Sequence, residues 1–221
     1  EEQAKKNLER DIRTYDVQTV ASQGKKIWNK KLGKITVEGG TENDKSVFYT
    51  SLYRTYERMI NISEDGRYYS AFDCKVHDDN GIPFYTDDWI WDTYRATHPL
   101  RVLIEPEIEC DMISSYIRMA EQTPQGWMPT FPEVTGDSHR MNGNHAIAVI
   151  WDAYSKGLTN FSLERAYEAC QKAIMEKTLL PWQKLPLTEL DKFYHKNGFF
   201  PALHLGEAET CQEVHNGEKR Q

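Results

Sequence analysis

Apolar residues return every three or four positions in one segment after another of this 221-residue chain, and polar loops separate the segments. That spacing limits the fold to helices laid side by side, because a 3.6-residue period gathers the apolar positions into a stripe that must be covered. Behind a charged, helix-prone start at Glu1 to Arg13, the residues Val17, Val20, Ala21, Ile27, Trp28 and Leu32 draw one such stripe. Gly39-Gly40 ends this opening pair. Thr41 and Asp44 have the spacing of a reciprocal N-terminal cap for a helix whose apolar face is Phe48, Leu52, Thr55 and Met59. The helical pattern returns over Trp91 to Ile104, after Pro106 with Ile108, Met112, Tyr116 and Met119, and from Ala146 to a stop at Gly157. It continues from Ser162 to Ile174 and over Leu187 to His195, before Gly198. Between Asn61 and Tyr85 the period changes. Tyr68 to His77 and Ile82 to Tyr85 read as a β-hairpin turned by Asp78-Asp79-Asn80-Gly81. From Phe199 to Gln221 no element is predicted.

Long loops between helices favour a toroid of antiparallel helical hairpins over a bundle, which prefers short connections. The expected fold class is therefore mainly α: a partial (α/α)6 barrel with an inserted β-hairpin, holding about half the helices of a closed ring.

The 27 Lys and Arg against 34 Asp and Glu leave a net charge of -7 spread along the chain, so the basic stripe that nucleic acid requires is missing and no nucleic-acid partner is expected. No stretch approaches the roughly 18 apolar residues of a membrane span. Cys74, Cys110, Cys170 and Cys211 are far apart and lack zinc-like spacing. Cys110 and Cys170 fall within helical patterns, where a small buried hydrophobe is expected; the disulfide state of the four stays open. Many of the 6 Trp and 12 Tyr lie in loops beside Asp and Arg. Aromatic faces next to carboxylates suit a sugar, whose ring offers a C–H face to stack and a rim of hydroxyls to bond. An aromatic core is the plainer alternative.

Two clusters carry candidate chemistry. In YTDDWIWDTYRATH, Tyr85 to His98, a helix beginning near Trp91 would place Asp92 in its first turn and Arg95 on the same face. The pair could simply stabilise the helix, or it could clamp vicinal hydroxyls with Trp91 or Trp89 as platform. In WMPTFPEVTGDSHRMNGNHA, Trp127 to Ala146, Glu133 sits on a backbone stiffened by Pro129 and Pro132. Apolar surroundings would favour its neutral form, making it a candidate general acid; a solvated loop carboxylate is the alternative. Asp137, His139 and His145 follow at spacings that match no metal signature. Asp65-Gly66 reads as a turn, and Asp152 as half of a local pair.

Taken in order, KKIWNKKLGKITVEGGTENDKSVFYTSLYRT, DGRYY, WDTYRATHPL and PEVTGDSHRMNGNHAIAVIWDAYSKG resemble glycoside hydrolase family 92, the calcium-dependent exo-acting α-mannosidases, over nearly the whole chain. The resemblance implies a helical linker over residues 1–40 and the N-terminal half of an (α/α)6 catalytic barrel over 41–221. It implies hydrolysis of terminal α-mannosides with inversion, in which an acid protonates the leaving oxygen while a base activates water from the opposite face. Glu133 matches the family's acid, Asp92 the residue that grips the terminal mannose, with Trp91 beside it and Arg95 in support, and His145 falls in the MNGNHA part of the pattern as a substrate-binding position. The family's base, an Asp in a Gly-Asn-Glu-x-Asp segment, has no counterpart in this sequence. Calcium is the implied cofactor, with ligands that do not map onto these residues. The implied partners are a mannose-containing glycan and the rest of the same enzyme, a β-sandwich domain and the second half of the barrel; the implied location is secreted or periplasmic. Asp137 and the Ser-His-Arg after it depart from the family's Asn-Glu, and Asn144 stands where an aromatic is common, which bears on the leaving-sugar subsite. A glycosidase of the same barrel acting on another sugar, or a carbohydrate-binding barrel without catalysis, are the alternatives.

Overall fold

The computed structural model describes residues 1–141, 143–180 and 183–200. It is mainly helical, with three two-stranded sheets, and the chain divides into two compact units at Arg58 and Met59.

The first unit holds α1 (Glu2–Asp11), α2 (Val17–Leu32) and α3 (Glu42–Arg54). Asp16 caps α2 by accepting from the Thr19 amide at 2.9 Å. Thr41 and Asp44 form the expected reciprocal cap on α3, each side chain satisfying the other's amide. Trp28 of α2 packs on Tyr53 of α3 with ring centroids 4.5 Å apart, and the Tyr49 hydroxyl donates to the Ile35 carbonyl at 3.1 Å.

In the second unit, from Met59 onward, β1 (Ile60–Asn61) pairs antiparallel with β4 (Tyr85–Thr86), and β2 (Arg67–Ser70) with β3 (Lys75–Asp78). The hairpin therefore differs from the one expected. Its strands turn back at Ala71 to Cys74, inside the stretch predicted as one strand, and Tyr85 pairs with Asn61 instead. The turn uses neither Gly nor Pro. Asp73 builds it, accepting from the Lys75 amide at 3.1 Å and bonding His77 at 2.9 Å, while Cys74 takes a φ of 59°. Asn80 and Gly81 do adopt the positive φ angles foreseen for them, at 54° and 80°, but they lead out of β3 rather than closing the hairpin.

Next come α4 (Ile90–Thr93), α5 (Thr97–Ile104) and α6 (Pro106–Glu121), where one helix was expected from Trp91 to Ile104. Pro99 explains the break: in a continuous helix its ring would collide with the carbonyl of Arg95, so the chain leaves helical geometry around Tyr94 to Ala96 and restarts with the proline in a first turn. A short pair, β5 (Pro132–Glu133) with β6 (Gly136–Asp137), follows. After it lie α7 (His145–Ser155), α8 (Leu163–Glu176) and α9 (Glu189–Asn197). Gly198 ends α9 in the left-handed region at φ 79°, as its position in the sequence predicts.

The core gathers around α6, which packs against α5, α7 and α8. Ile113, Tyr116, Ile117, Met119 and Ala120 of α6 meet Val149, Ile150 and Ala153 of α7 and Ala166, Ala169 and Ala173 of α8. Each large side chain buried here contributes about 1.5–3 kcal/mol, while the alanine stripe on α8 lets its backbone approach α6. Cys110 and Cys170 are buried free thiols, as expected, and Cys74 is an exposed one.

Candidate active site

The loop from Trp127 to Asn144 is held still by more than its prolines. Asp137 accepts from the Thr130 and Phe131 amides, both at 2.8 Å, and from the His139 amide at 3.1 Å, so one carboxylate ties both strands of the β5–β6 turn together. Gly136 makes that turn with φ 110°, backed against the Ala71 carbonyl, where a Cβ would sit at 3.4 Å. The buried Lys177 ammonium donates to the Met128 carbonyl at 3.1 Å and also to the Thr130 hydroxyl.

Two bonds join this loop to the segment that precedes α4. The Asp88 amide donates to the Pro132 carbonyl at 2.9 Å, and the Thr86 hydroxyl to the Glu133 carbonyl at 3.2 Å. Trp89 stacks on Phe131 with ring centroids 6.1 Å apart. The strand carrying Glu133 thus lies against the stretch that enters the helix carrying Trp91 and Asp92. The Glu133 side chain is largely buried and pairs with the half-exposed Arg140, at 3.1 Å. Trp91 is half-buried and Asp92 is exposed in the first turn of α4.

Arg95 and Asp92 do not share a helix face, because α4 ends at Thr93. Arg95 instead folds over Tyr94: its Nε donates to the Tyr94 hydroxyl at 3.1 Å, and its guanidinium carbon lies 5.5 Å from the ring centre. His145, the first residue of α7, packs on the same Tyr94 ring, with centroids 4.4 Å apart. Burial, and then the charge of Arg95, push the His145 imidazole below its ordinary value, which keeps it neutral. Its Nδ1 and the neighbouring Asn144 Oδ1 are buried without a hydrogen-bond partner among the described residues. Orphaned polar atoms side by side are what a hydroxylated ligand could satisfy. Gly143 makes room for the ring; a Cβ there would come within 2.6 Å of His145 Cε1.

Sequence reasoning passed over what lies underneath. His98 of α5 is buried, with Nε2 3.0 Å from Asp88 Oδ2 and Nδ1 2.8 Å from Glu109 Oε1. Tyr116 donates its hydroxyl to Asp88 Oδ2, and Thr93 donates to Asp88 Oδ1 at 2.9 Å. Burial works against charge on His98, but Glu109 and Asp88 at its two nitrogens outweigh it and raise the imidazole to about 9. Burial also resists ionisation of Asp88, yet His98, Tyr116 and Thr93 together hold its carboxyl below the usual value. The ring is therefore an imidazolium between two carboxylates at neutral pH. One signal was available: Glu109 falls on the stripe of Met112, Ile113 and Tyr116, a charge where the period demands an apolar residue.

His139 behaves in the opposite way. Burial lowers its imidazole to about 4 despite Asp137 beside it, with Lys177 and Lys184 adding to the effect. It borders an open cleft of about 200 Å³ with Trp127, Thr135, Asp137 and Lys184, and the lining of that cleft does not include Glu133. Among the described residues no three His, Cys, Asp or Glu side chains gather so as to hold a metal ion.

Residues 3–218 match the model of the glycosyl hydrolase family 92 catalytic domain. Among solved structures, the chain is similar to an inverting mannosidase of family GH92 from Bacteroides thetaiotaomicron, with 32% identity and a TM-score of 0.79 over 90% of this chain and 27% of that one. It is similar also to a GH92 α-mannosidase of the same bacterium solved in complex with mannoimidazole, at 28% identity and a TM-score of 0.70 over 77% of this chain and 22% of that one. An uncharacterized secreted glycosidase of Arthroderma benhamiae is 26% identical over 78% of this chain and 18% of its own length. The chain thus spans between about a fifth and a quarter of the length of these relatives. No helix among the described residues is long and apolar enough to cross a membrane.

Proposed function

This chain belongs to glycosyl hydrolase family 92, and from that premise we propose that it forms the helical linker and the first half of the (α/α)6 catalytic barrel of an inverting α-mannosidase. The reading rests on one observation above the others. The strand carrying Glu133 is bonded through Pro132 and Glu133 to the segment Thr86 to Asp88, which leads directly into Trp91 and Asp92.

In this proposal Glu133 is the general acid that protonates the leaving glycosidic oxygen. Its fixed backbone suits the task, since a proton donor must be aimed before the substrate arrives. Arg140 lies on the same carboxyl, so the leaving sugar has to take that place as it binds. Asp92, exposed on α4, accepts hydrogen bonds from the terminal mannose, with Trp91 offering its face to the sugar ring. Arg95 and the neutral His145 flank Tyr94 and provide donors and an acceptor for hydroxyls. The base is assigned to a part of the enzyme beyond these residues, about 6.5–9.5 Å from the acid so that a water fits between. Calcium, if bound as in the family, would supply a hard cation for sugar hydroxyls. A secreted or periplasmic location is proposed with the same family.

Replacing Glu133→Gln in the whole enzyme tests the reading. The expected result is loss of most turnover on mannosides with poor leaving groups, about 100-fold or more as for other general acids, with ligand binding retained. Unchanged rates would refute it.

A further inference from the structure

We infer that His98, clamped between Asp88 and Glu109 beneath the site, is a positioning residue that fixes the mannose-holding residues 91 and 92 relative to the proton donor at 133. The inference rests on the site proposed above and adds to it a residue that no substrate atom can reach. His98 and Tyr116 are 1% and 0% exposed, as are Asp88 and Glu109 at 0% each.

Asp88 is where the parts of the site are joined. Its main-chain amide holds the Pro132 carbonyl of β5 at 2.9 Å, next to Glu133. Its carboxylate receives Thr93 of α4, one residue beyond Asp92, together with His98 of α5 and Tyr116 of α6. A carboxylate with so many partners has one orientation, but only while its charge is balanced. His98 supplies that balance and, through Glu109 at 2.8 Å, anchors the assembly to the central helix. Glu109 Oε2 finds no hydrogen-bond partner among the described residues, while its Oε1 is held by His98.

Stability is a poor reason for such an arrangement. Desolvating an imidazolium and two carboxylates costs as much as or more than their attraction returns, and apolar residues of similar size often serve a core as well or better. What ions at hydrogen-bond distance provide instead is a single geometry. A catalytic constellation has to be held to within about half an ångström, and small displacements cost orders of magnitude in rate. The short α4 cannot supply that rigidity alone: it has four residues and no side-chain cap.

The test is a double-mutant cycle in the whole enzyme, read as kcat and KM on an aryl α-mannoside and normalised to folded protein by urea titration. His98→Gln, which keeps one donor towards Asp88, is expected to lower kcat/KM by about 10- to 100-fold. Asp92→Asn is expected to lower it by itself, and adding His98→Gln to that variant should cause little further loss, because both act through the same group. Equal losses on the two backgrounds, or full activity of folded His98→Gln, would overturn the positioning role. Full activity of Asp92→Asn would instead overturn the reading of the site on which it rests. If His98→Gln does not fold, Tyr116→Phe serves in its place: it keeps the ring, removes one donor from Asp88, and should show the same non-additivity with a loss of about threefold or more. An additive loss, or none, in that variant would likewise overturn the inference.

Discussion

Raising the pH should loosen this protein through His98 before any carboxylate is involved. The imidazole titrates at about 9 in the folded chain, because two buried carboxylates face its two nitrogens; in the unfolded chain it returns to about 6.5. A folded-state value above the unfolded one means that stability from this group is complete below pH 6.5 and disappears as the pH rises through 9. At about 1.4 kcal/mol for each pH unit between the two values, the loss is roughly 3 kcal/mol, a sizeable part of the 5–15 kcal/mol typical of a domain. Urea unfolding followed by tryptophan fluorescence at pH 6.5 and 9.5 measures the change in free energy. An NMR titration of the His98 ring in the folded protein assigns it. A ring that titrates at or below its ordinary value while the protein stays folded would refute the charge assignment, whatever the unfolding curves do.

Two further outcomes follow from the loop. Asp137→Ala leaves three amides without their acceptor, those of Thr130, Phe131 and His139; each unpaired buried group costs about 1–3 kcal/mol. A total of at least about 3 kcal/mol is expected, with faster hydrogen exchange at Thr130 and Phe131, and unchanged protection at those amides would count against it. Gly143→Ala places a Cβ 2.6 Å from His145 Cε1 at a φ of 90°, costing about 1–2 kcal/mol in strain. It should also push the imidazole off Tyr94 and raise KM more than it lowers kcat. Retention of the ring-current shift of Tyr94 on His145 would contradict this.

Much of the fold was legible because helices announce themselves locally. The helix at Val17 to Leu32, the Thr41 and Asp44 cap, Pro106 at a first turn and Gly198 at a helix end each depend on neighbours within four residues, and the structure has them there. The stripe on that first helix is not covered as its period led one to expect, for Val17, Val20 and Ile27 are exposed. The misreadings lie where a side chain did the work of a recognised signal. Asp73, with no glycine near it, turned the hairpin early. Pro99 carries the signal for the break in the 91–104 helix, and the apolar period on either side of it masks that signal. The predicted absence of an element after Phe199 lies mostly outside the described residues.

For the site, the sequence alone determined which residues stand in which loop: a carboxylate between prolines at 133, a tryptophan and an aspartate at a helix start, and a histidine opening another helix. It also carried the family, since those groups recur in a fixed order. Only the tertiary structure decided which of these loops touch, that Arg95 lies over Tyr94 instead of beside Asp92, and that Asp88, His98, Glu109 and Tyr116 meet in the core. The physical reason is the range of the forces. Helix period and capping act over a few residues and are written in adjacent letters, whereas pairing of buried charges is set by whatever the packing of helices brings together.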